Sequence, residues 1–151
     1  MLIGALTWAP AKREQFVKVR NGQFELEGKP YRFIGINYWP AGILGMAKLP
    51  GNRARLEKEL DFLASQGITN LRVLALSEGD SSYPYRISPS SQPYKNQVQQ
   101  EYLEGLDFLL QQCGRRKLKV VLYLTNQWEW SGGMGQYLEW AGFGKPPLPK
   151  S

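Results

Sequence analysis

Apolar and polar side chains alternate in two short stretches near the start of the chain, residues 17–20 and 23–26. Asn21 and Gly22 lie between them, and this dipeptide is a strong hairpin signal because both residues tolerate a positive φ. The stretch that follows, residues 31–37, becomes more continuously apolar toward its end. We therefore predict a small antiparallel hairpin that leads into a buried strand.

A different periodicity follows, with apolar residues three or four positions apart, and it predicts amphipathic helices. The first helix covers about residues 53–66, with Asn52 as its N-cap and Gly67 just past its end. The second covers about residues 97–113, and Asn96 resembles the first residue of a capping box.

Two nearly continuous apolar runs, residues 68–76 and 118–125, alternate with these helices, and a short helix is predicted around residues 134–141. Apolar strands that alternate with helices predict a parallel sheet covered by helices. No strand is followed by a Gly-rich loop with nucleotide-binding spacing. The open doubly wound sheet and the (β/α)8 barrel are the two architectures built from such units.

Composition narrows the chemistry. The chain has 151 residues, of which 42% are hydrophobic, and it contains no histidine. A His-based triad and a His-ligated zinc site are therefore excluded, and we expect neither a metal nor a cofactor. The single cysteine, Cys113, falls on the apolar face of the second helix, which indicates core packing rather than a nucleophile.

The formal charge is +6, but the basic residues are scattered along the chain. The densest run, residues 115–117, lies at the end of a predicted helix, where cations favour the helix C-terminus. Nucleic-acid binding is therefore the weaker alternative, and it would require a steep dependence of affinity on salt. No apolar run reaches the roughly 20 residues of a membrane span. We expect neither nucleic acid nor membrane as a partner.

Ligands of parallel α/β folds bind at the carboxyl ends of the strands. The predicted strand ends collect aromatic, amide and carboxylate side chains, namely Asn37, Tyr38, Trp39, Ser77, Glu78, Asp80, Asn126, Gln127, Trp128, Glu129 and Trp130. Such a set suits sugars, because a pyranose stacks on an aromatic ring while amides and carboxylates bind its hydroxyls. The alternative is that the tryptophans fold inward and cover the end of the sheet, and it is as plausible as binding for Trp39.

Charged residues near the strand ends raise two further hypotheses. Arg72 lies inside an otherwise apolar strand, and a buried, unpaired Arg is costly, so we expect an acidic or polar partner within the fold. That partnership would be either a structural ion pair or a means of positioning an active-site carboxylate. Glycosidic hydrolysis uses two carboxylates, and Glu78 and Glu129 are the obvious local pair, with Asp80 a weaker third.

Several segments resemble the endo-β-1,4-mannanases of glycoside hydrolase family 5, namely residues 16–39, 55–63, 67–73 and 120–133. The last, VVLYLTNQWEWSGG, is the most specific, and the resemblance runs over about residues 16–142. It implies a (β/α)8 TIM barrel and retaining hydrolysis of β-1,4-mannosidic bonds in mannan-type polysaccharides or manno-oligosaccharides. It also implies a secreted or periplasmic location, because the polymer cannot enter a cell.

The resemblance also assigns roles to single residues. Arg72 matches the family's strand-two Arg, which supports the nucleophile. Trp39, Asn126 and Trp128 match positions on the substrate side of the cleft. Glu129 and Trp130 lie in the same loop and are expected to bind substrate too, although their roles are less defined.

One departure from the family pattern changes the expected activity. The family's acid/base Glu follows the fourth strand in an Asn-Glu-Pro motif, and its nucleophile follows the seventh, yet this chain has no Asn-Glu-Pro. The resemblance therefore places neither catalytic carboxylate here. We expect the N-terminal part of a barrel, about three β/α units, that is inactive alone. A non-catalytic carbohydrate-binding fragment and a minimal enzyme using Glu78 and Glu129 are the alternatives.

The expected organisation has three parts. Residues 1–15 form an N-terminal extension or a remnant signal segment, residues 16–144 form the partial barrel, and residues 145–151 form a Pro-rich tail. A partial barrel exposes the edges of its parallel strands, which is an aggregation hazard. We therefore expect poor solubility or marginal stability, and the sequence does not predict the oligomeric state.

Overall fold

The structure is a computed structural model that describes residues 16–81 and 85–145. The chain divides into two compact units, Met1–Arg32 and Phe33–Ser151. The expected signal remnant, within residues 1–15, lies outside the described residues, as does nearly all of the Pro-rich tail. In the described part of the chain, no helix is long and apolar enough to cross a membrane.

The first unit contains an antiparallel sheet of three short strands. Its strands are β1 (Lys18–Arg20), β2 (Gln23–Leu26) and β3 (Lys29–Pro30), in the order β1-β2-β3. Asn21 and Gly22 join the first two strands with φ angles of 50° and 74°. Positive φ at both turn residues gives the backbone the twist that a tight hairpin needs, and the predicted hairpin is confirmed.

The second unit is built on a parallel sheet. Its strands are β4 (Gly35–Asn37), β5 (Asn70–Leu74) and β6 (Lys119–Tyr123), paired in the order β4-β5-β6. Four of the five residues of the central strand β5 are buried, as expected for a strand with neighbours on both edges. The predicted parallel sheet with helical connections is confirmed for these three strands.

Helices α1 (Ala41–Gly45), α2 (Arg53–Ser65) and α3 (Gln100–Arg115) cover one face of this sheet. Helix α4 (Gly133–Trp140) follows β6 and is preceded by a short 3₁₀ helix over Glu129–Ser131. Helix α1 is absent from the prediction because its five residues, AGILG, are too few to show a helical period. It packs against α3 where Gly45 meets Gly105. A Cβ on Gly45 would overlap the carbonyl of Gly105, and a Cβ on Gly105 would overlap the backbone of Gly42 and Met46.

Of the two predicted N-terminal helix caps, the structure confirms the one at Asn52 and contradicts the one at Asn96. Asn52 caps α2, because its Oδ1 accepts a hydrogen bond from the Arg55 N–H at 3.0 Å, and Gly67 follows that helix with φ of 81°. The capping box at Asn96 is wrong, since α3 begins at Gln100 and Asn96 adopts φ of 62° in the preceding turn. Asn tolerates this left-handed conformation, so a side chain that resembles a cap instead shapes a turn.

The core lies between the helices and the sheet, and its buried members are Ala41, Leu44, Met46, Leu56, Leu60, Leu71, Val73, Ala75, Tyr102, Leu106, Leu109, Cys113 and Leu118. The Tyr102 hydroxyl donates to the carbonyl oxygen of Leu74 at 3.1 Å, which satisfies the one polar atom of a buried ring. Burial raises the pKa of the Cys113 thiol to about 12. Since the thiolate is the reactive form, Cys113 is a core residue, as predicted.

Candidate functional site

The candidate site begins on the sheet face opposite the helices. Asn37, Arg72 and Val121 pair across the three strands, so they share one face. Their neighbours Leu71 and Val73 are fully buried toward the helices, because side chains alternate between the two faces of a strand. Arg72 is exposed on this face. Arg72 is exposed because, among the described residues, no element covers the face on which this alternation places it.

Arg72 has two partners at the strand ends. Its guanidinium lies 3.8 Å from the centroid of the Tyr123 ring, and its Nη1 donates to the Asn37 Oδ1 at 3.3 Å. The predicted polar partner is thus an amide, together with an aromatic ring. Among residues 16–81 and 85–145, no carboxylate forms an ion pair with Arg72. The cation is held in place while its charge is not neutralised by a local acid.

Three tryptophans lie near the same strand ends. Trp39 and Trp130 meet edge-on, with ring centroids 5.5 Å apart and an interplanar angle of 64°. Trp39 is 42% exposed and Trp128 is 66% exposed, whereas Trp130 is half-buried. The three rings therefore do not fold inward together, because Trp128 presents most of its surface to solvent.

Local hydrogen bonds shape the segment that carries two of these rings. We call residues 126–131 the aromatic loop. The Asn126 Oδ1 accepts from the Trp128 N–H at 3.1 Å, and the Ser131 hydroxyl donates to the Trp128 carbonyl at 3.1 Å. The Asn126 side chain thus holds the turn in which Trp128 stands. Glu129 follows at the start of the 3₁₀ helix and is half-buried.

Glu78 occupies a different environment from the other strand-end acids. It is 1% exposed, and its carboxylate accepts from the Tyr137 hydroxyl at 3.1 Å and from the Gly133 N–H at 3.2 Å. Burial raises the pKa of Glu78 above its ordinary value, and these hydrogen bonds oppose the shift. Asp80, by contrast, is exposed. The arrangement disfavours Glu78 as one member of an accessible catalytic pair with Glu129.

Sequence reasoning missed two contacts. The first is the stack of Tyr123 on Arg72, although the alternation of residues 121 and 123 on one strand face could have placed that ring. The second is the bond between Tyr137 and Glu78, which joins positions far apart in the chain and leaves no local signal. Among the described residues, no group of three or more His, Cys, Asp or Glu could hold a metal ion.

The second unit thus combines a three-stranded parallel sheet with three tryptophans near its strand ends. A family model described as "GH family 5 beta-mannosidase-like" matches residues 14–150. The chain therefore belongs to glycoside hydrolase family 5, in its beta-mannosidase-like group.

Curated relatives carry the same family relationship. The chain is 31% identical over 127 residues to mannan endo-1,4-beta-mannosidase 1 of Oryza sativa subsp. japonica, covering 83% of this chain and 27% of that protein. It is 32% identical over 146 residues to mannan endo-1,4-beta-mannosidase 1 of Arabidopsis thaliana, covering 96% of this chain and 34% of that protein. The chain therefore spans about a third of the length of these relatives.

Solved structures agree. A glycoside hydrolase family 5 mannosidase from Rhizomucor miehei superimposes with a TM-score of 0.85 at 39% identity, covering 91% of this chain and 34% of that one. A structure of the mannosidase with mannosyl-fructose gives 0.82 at 40% identity, covering 87% and 32%. The endo-1,4-beta-mannanase of the same fungus gives 0.63 at 26% identity, covering 84% and 34%.

Proposed function

We propose that the full-length parent of this chain hydrolyses β-1,4-mannosidic bonds within mannan-type polysaccharides by a retaining, two-carboxylate mechanism. The observation that carries this proposal is the placement of Arg72 at the strand ends, where Tyr123 and Asn37 hold it and no acid in residues 16–81 and 85–145 forms an ion pair with it. A guanidinium close to a carboxylate favours its ionised form, which a nucleophile needs. We assign Arg72 to support of the nucleophile, and its ion-pair partner is then that carboxylate.

We assign substrate binding to Trp39, Asn126, Trp128, Glu129 and Trp130, which together form what we call the rim at the strand ends. Trp128 offers an exposed ring on which the apolar face of a mannose unit can stack, and Trp39 and Trp130 form a second aromatic surface. Asn126 and Glu129 belong to the same loop and supply polar atoms for sugar hydroxyls. The likeness to mannan endo-1,4-beta-mannosidases and to a mannosidase that binds mannosyl-fructose supports a mannose-containing ligand.

We further propose that both reacting carboxylates lie outside these 151 residues and that the chain alone is inactive. A retaining glycosidase needs two carboxyl groups about 5–5.5 Å apart on either side of the bond. The sequence has no Asn-Glu-Pro, and Glu78 is buried among its hydrogen-bond donors. The substrate is a polymer, so the proposed place of action is outside the cytoplasm, which cell fractionation of the source would test.

A second candidate function is hydrolysis of short mannosides. It is favoured by the comparison within one fungus, where identity is 39% to the mannosidase and 26% to the endo-mannanase. The two activities differ in their products from mannan. An endo-acting enzyme releases oligosaccharides of mixed length early, whereas an enzyme acting on short mannosides releases mainly mannose.

The test combines binding and hydrolysis on the 151-residue chain and on any longer product of its coding sequence. We expect retention of the short chain on immobilised mannan without release of reducing sugar, and hydrolysis only by a longer product. Hydrolysis by the short chain, abolished in Glu129→Gln, would instead assign the chemistry to residues described here. Absence of mannan binding and hydrolysis by every product would refute the proposed function.

A further inference from the structure

Glu78 lies four residues beyond the end of β5, yet its side chain is buried, with the residue only 1% exposed. Its Oε1 accepts from the Tyr137 hydroxyl at 3.1 Å and its Oε2 from the Gly133 N–H at 3.2 Å. Both donors belong to α4, which is separated from Glu78 in sequence by α3 and β6. One buried side chain therefore joins the segment after β5 to the segment after β6.

The carboxylate also satisfies the start of α4. The first N–H groups of a helix have no partner within the helix, and a side-chain oxygen usually satisfies one of them. The N-cap of α4 is Gly132, which makes no side-chain cap bond. Glu78 supplies the missing acceptor from another part of the chain, and its negative charge is favourable at the positive end of the helix dipole.

Backbone contacts tie the aromatic loop to the same place. The Glu78 N–H donates to the Ser131 carbonyl at 2.8 Å, and the Ile87 N–H donates to the Trp130 carbonyl at 2.9 Å. Gly132 has φ of 95°, and a Cβ on it would overlap the backbone carbonyl of Glu78. The loop is thus closely packed against the backbone of Glu78.

We infer that Glu78 is a positioning residue, which holds α4 and the aromatic loop (residues 126–131) and thereby sets the places of Trp128 and Trp130. Its effect on sugar binding rests on the proposed function. A carboxylate that is buried against two donors acts on the loop rather than on a glycosidic bond. Glu78 therefore belongs to the scaffold of the rim, although its position after a strand end resembles that of a catalytic acid.

Four variants separate this role from a chemical one. Glu78→Ala removes both hydrogen bonds, and Tyr137→Phe removes one. Glu78→Gln keeps an oxygen for the Gly133 N–H and an amide that can donate to the Tyr137 hydroxyl, but it cannot act as an acid or nucleophile. Leu138→Ala is the control, because Leu138 lies on the same helix and is 53% exposed.

Hydrogen exchange of the backbone amides in residues 126–140 measures the positioning directly. We expect exchange about tenfold faster in Glu78→Ala and about threefold faster in Tyr137→Phe, given the cost of a lost buried hydrogen bond. Glu78→Gln and the Leu138 control should stay close to the unsubstituted chain. Unchanged exchange in Glu78→Ala, or equal damage in Glu78→Gln, would overturn the inference. If Glu78→Ala does not fold, the inference is tested by the exchange rates of Tyr137→Phe and Glu78→Gln alone: faster exchange only in Tyr137→Phe supports it, and any other result overturns it.

Binding of β-1,4-mannotriose to the same variants is the second readout. We expect affinity to fall in the order in which exchange rises, with Glu78→Gln retaining binding. Equal affinity in all variants despite faster exchange would overturn the claim that Glu78 sets the rim. Faster exchange together with no mannotriose binding by the unsubstituted chain would support the positioning of the loop and count against the proposed function instead.

Discussion

The guanidinium of Arg72 lies 3.8 Å from the centroid of the Tyr123 ring, with its Nη1 directed to Asn37. A cation over an aromatic face is attracted by the ring quadrupole, by about 0.5–1 kcal/mol at exposed sites. A double-mutant cycle with Arg72→Met and Tyr123→Leu should therefore give a coupling of about 0.5–1 kcal/mol in the free energy of unfolding. Urea denaturation measures these free energies. If the effects of the two single substitutions simply add up in the double variant, the stack contributes nothing to stability.

Trp128 should dominate sugar binding by the rim, because the residue is 66% exposed. Replacing a stacking ring by Ala removes about 1–3 kcal/mol of contact in comparable aromatic platforms, so Trp128→Ala should weaken mannan binding at least about fivefold. Phe62→Ala is the matched control, since Phe62 is 63% exposed on α2. Affinity electrophoresis in mannan gels compares the two. An equal loss in both variants would contradict a specific role for Trp128.

The contact between α1 and α3 should not tolerate a methyl group. A Cβ on Gly45 would overlap the carbonyl of Gly105, which is backbone and cannot turn aside. We expect Gly45→Ala to cost about 1–3 kcal/mol of stability, in the range for overpacked sites. Gly114→Ala, at an exposed position of α3, should be neutral or stabilising because Ala is the better helix former. Thermal denaturation followed by circular dichroism tests the contrast, and equal midpoints for the two variants would refute it.

Glu78 should make stability depend on pH in an unusual direction. Burial raises its pKa in the folded state, so between the ordinary value of 4.5 and the raised value the folded chain holds a proton that the unfolded chain has lost. The contribution of Glu78 to stability therefore decreases as pH rises through that window. Stability of Glu78→Gln relative to the unsubstituted chain should improve over the same pH range, as measured by urea denaturation at several pH values.

Glu59 provides the control of opposite sign. The Tyr38 hydroxyl and then the Arg55 guanidinium donate to its carboxylate and lower its pKa below the ordinary value. Its contribution to stability is present above the ordinary pKa and is lost as pH falls through the lowered one. Glu59→Gln should therefore lose its disadvantage under acid conditions, and parallel pH profiles for the two variants would contradict both assignments.

Exposed apolar side chains on and after β6 should promote association of the 151-residue chain. Leu124 is 68% exposed and Val121 is 49% exposed, beside a strand edge that has no partner strand among the described residues. Charged residues blunt such edges, so Leu124→Lys should raise the soluble fraction and lower light scattering at a given concentration. Phe143→Lys, at an exposed position outside the sheet, should change them less. A larger effect at Phe143 would place the association surface elsewhere.

The features that could be predicted from the sequence are those with a local cause. Asn21-Gly22 and Asn52 act on their immediate neighbours, so a turn and a cap followed from a few residues. The exposure of Arg72 could not be predicted, because it depends on which sheet face is covered, and the sequence of its own strand does not reveal that. The link between Glu78 and Tyr137 was invisible because it depends on the packing of two loops that each follow a different strand.

The contact of α1 with α3 has a consequence for biosynthesis. Helix α1 ends at Gly45, but its partner α3 is complete only at Arg115. At 5–20 residues per second, a ribosome adds the intervening segment over about 4 to 14 seconds, during which the side of α1 that faces α3 is uncovered. A nascent chain arrested before residue 100 should therefore be captured by the chaperones that bind exposed apolar segments, and one arrested well past residue 123 should escape them. Equal capture of both lengths would show that α1 is protected in another way.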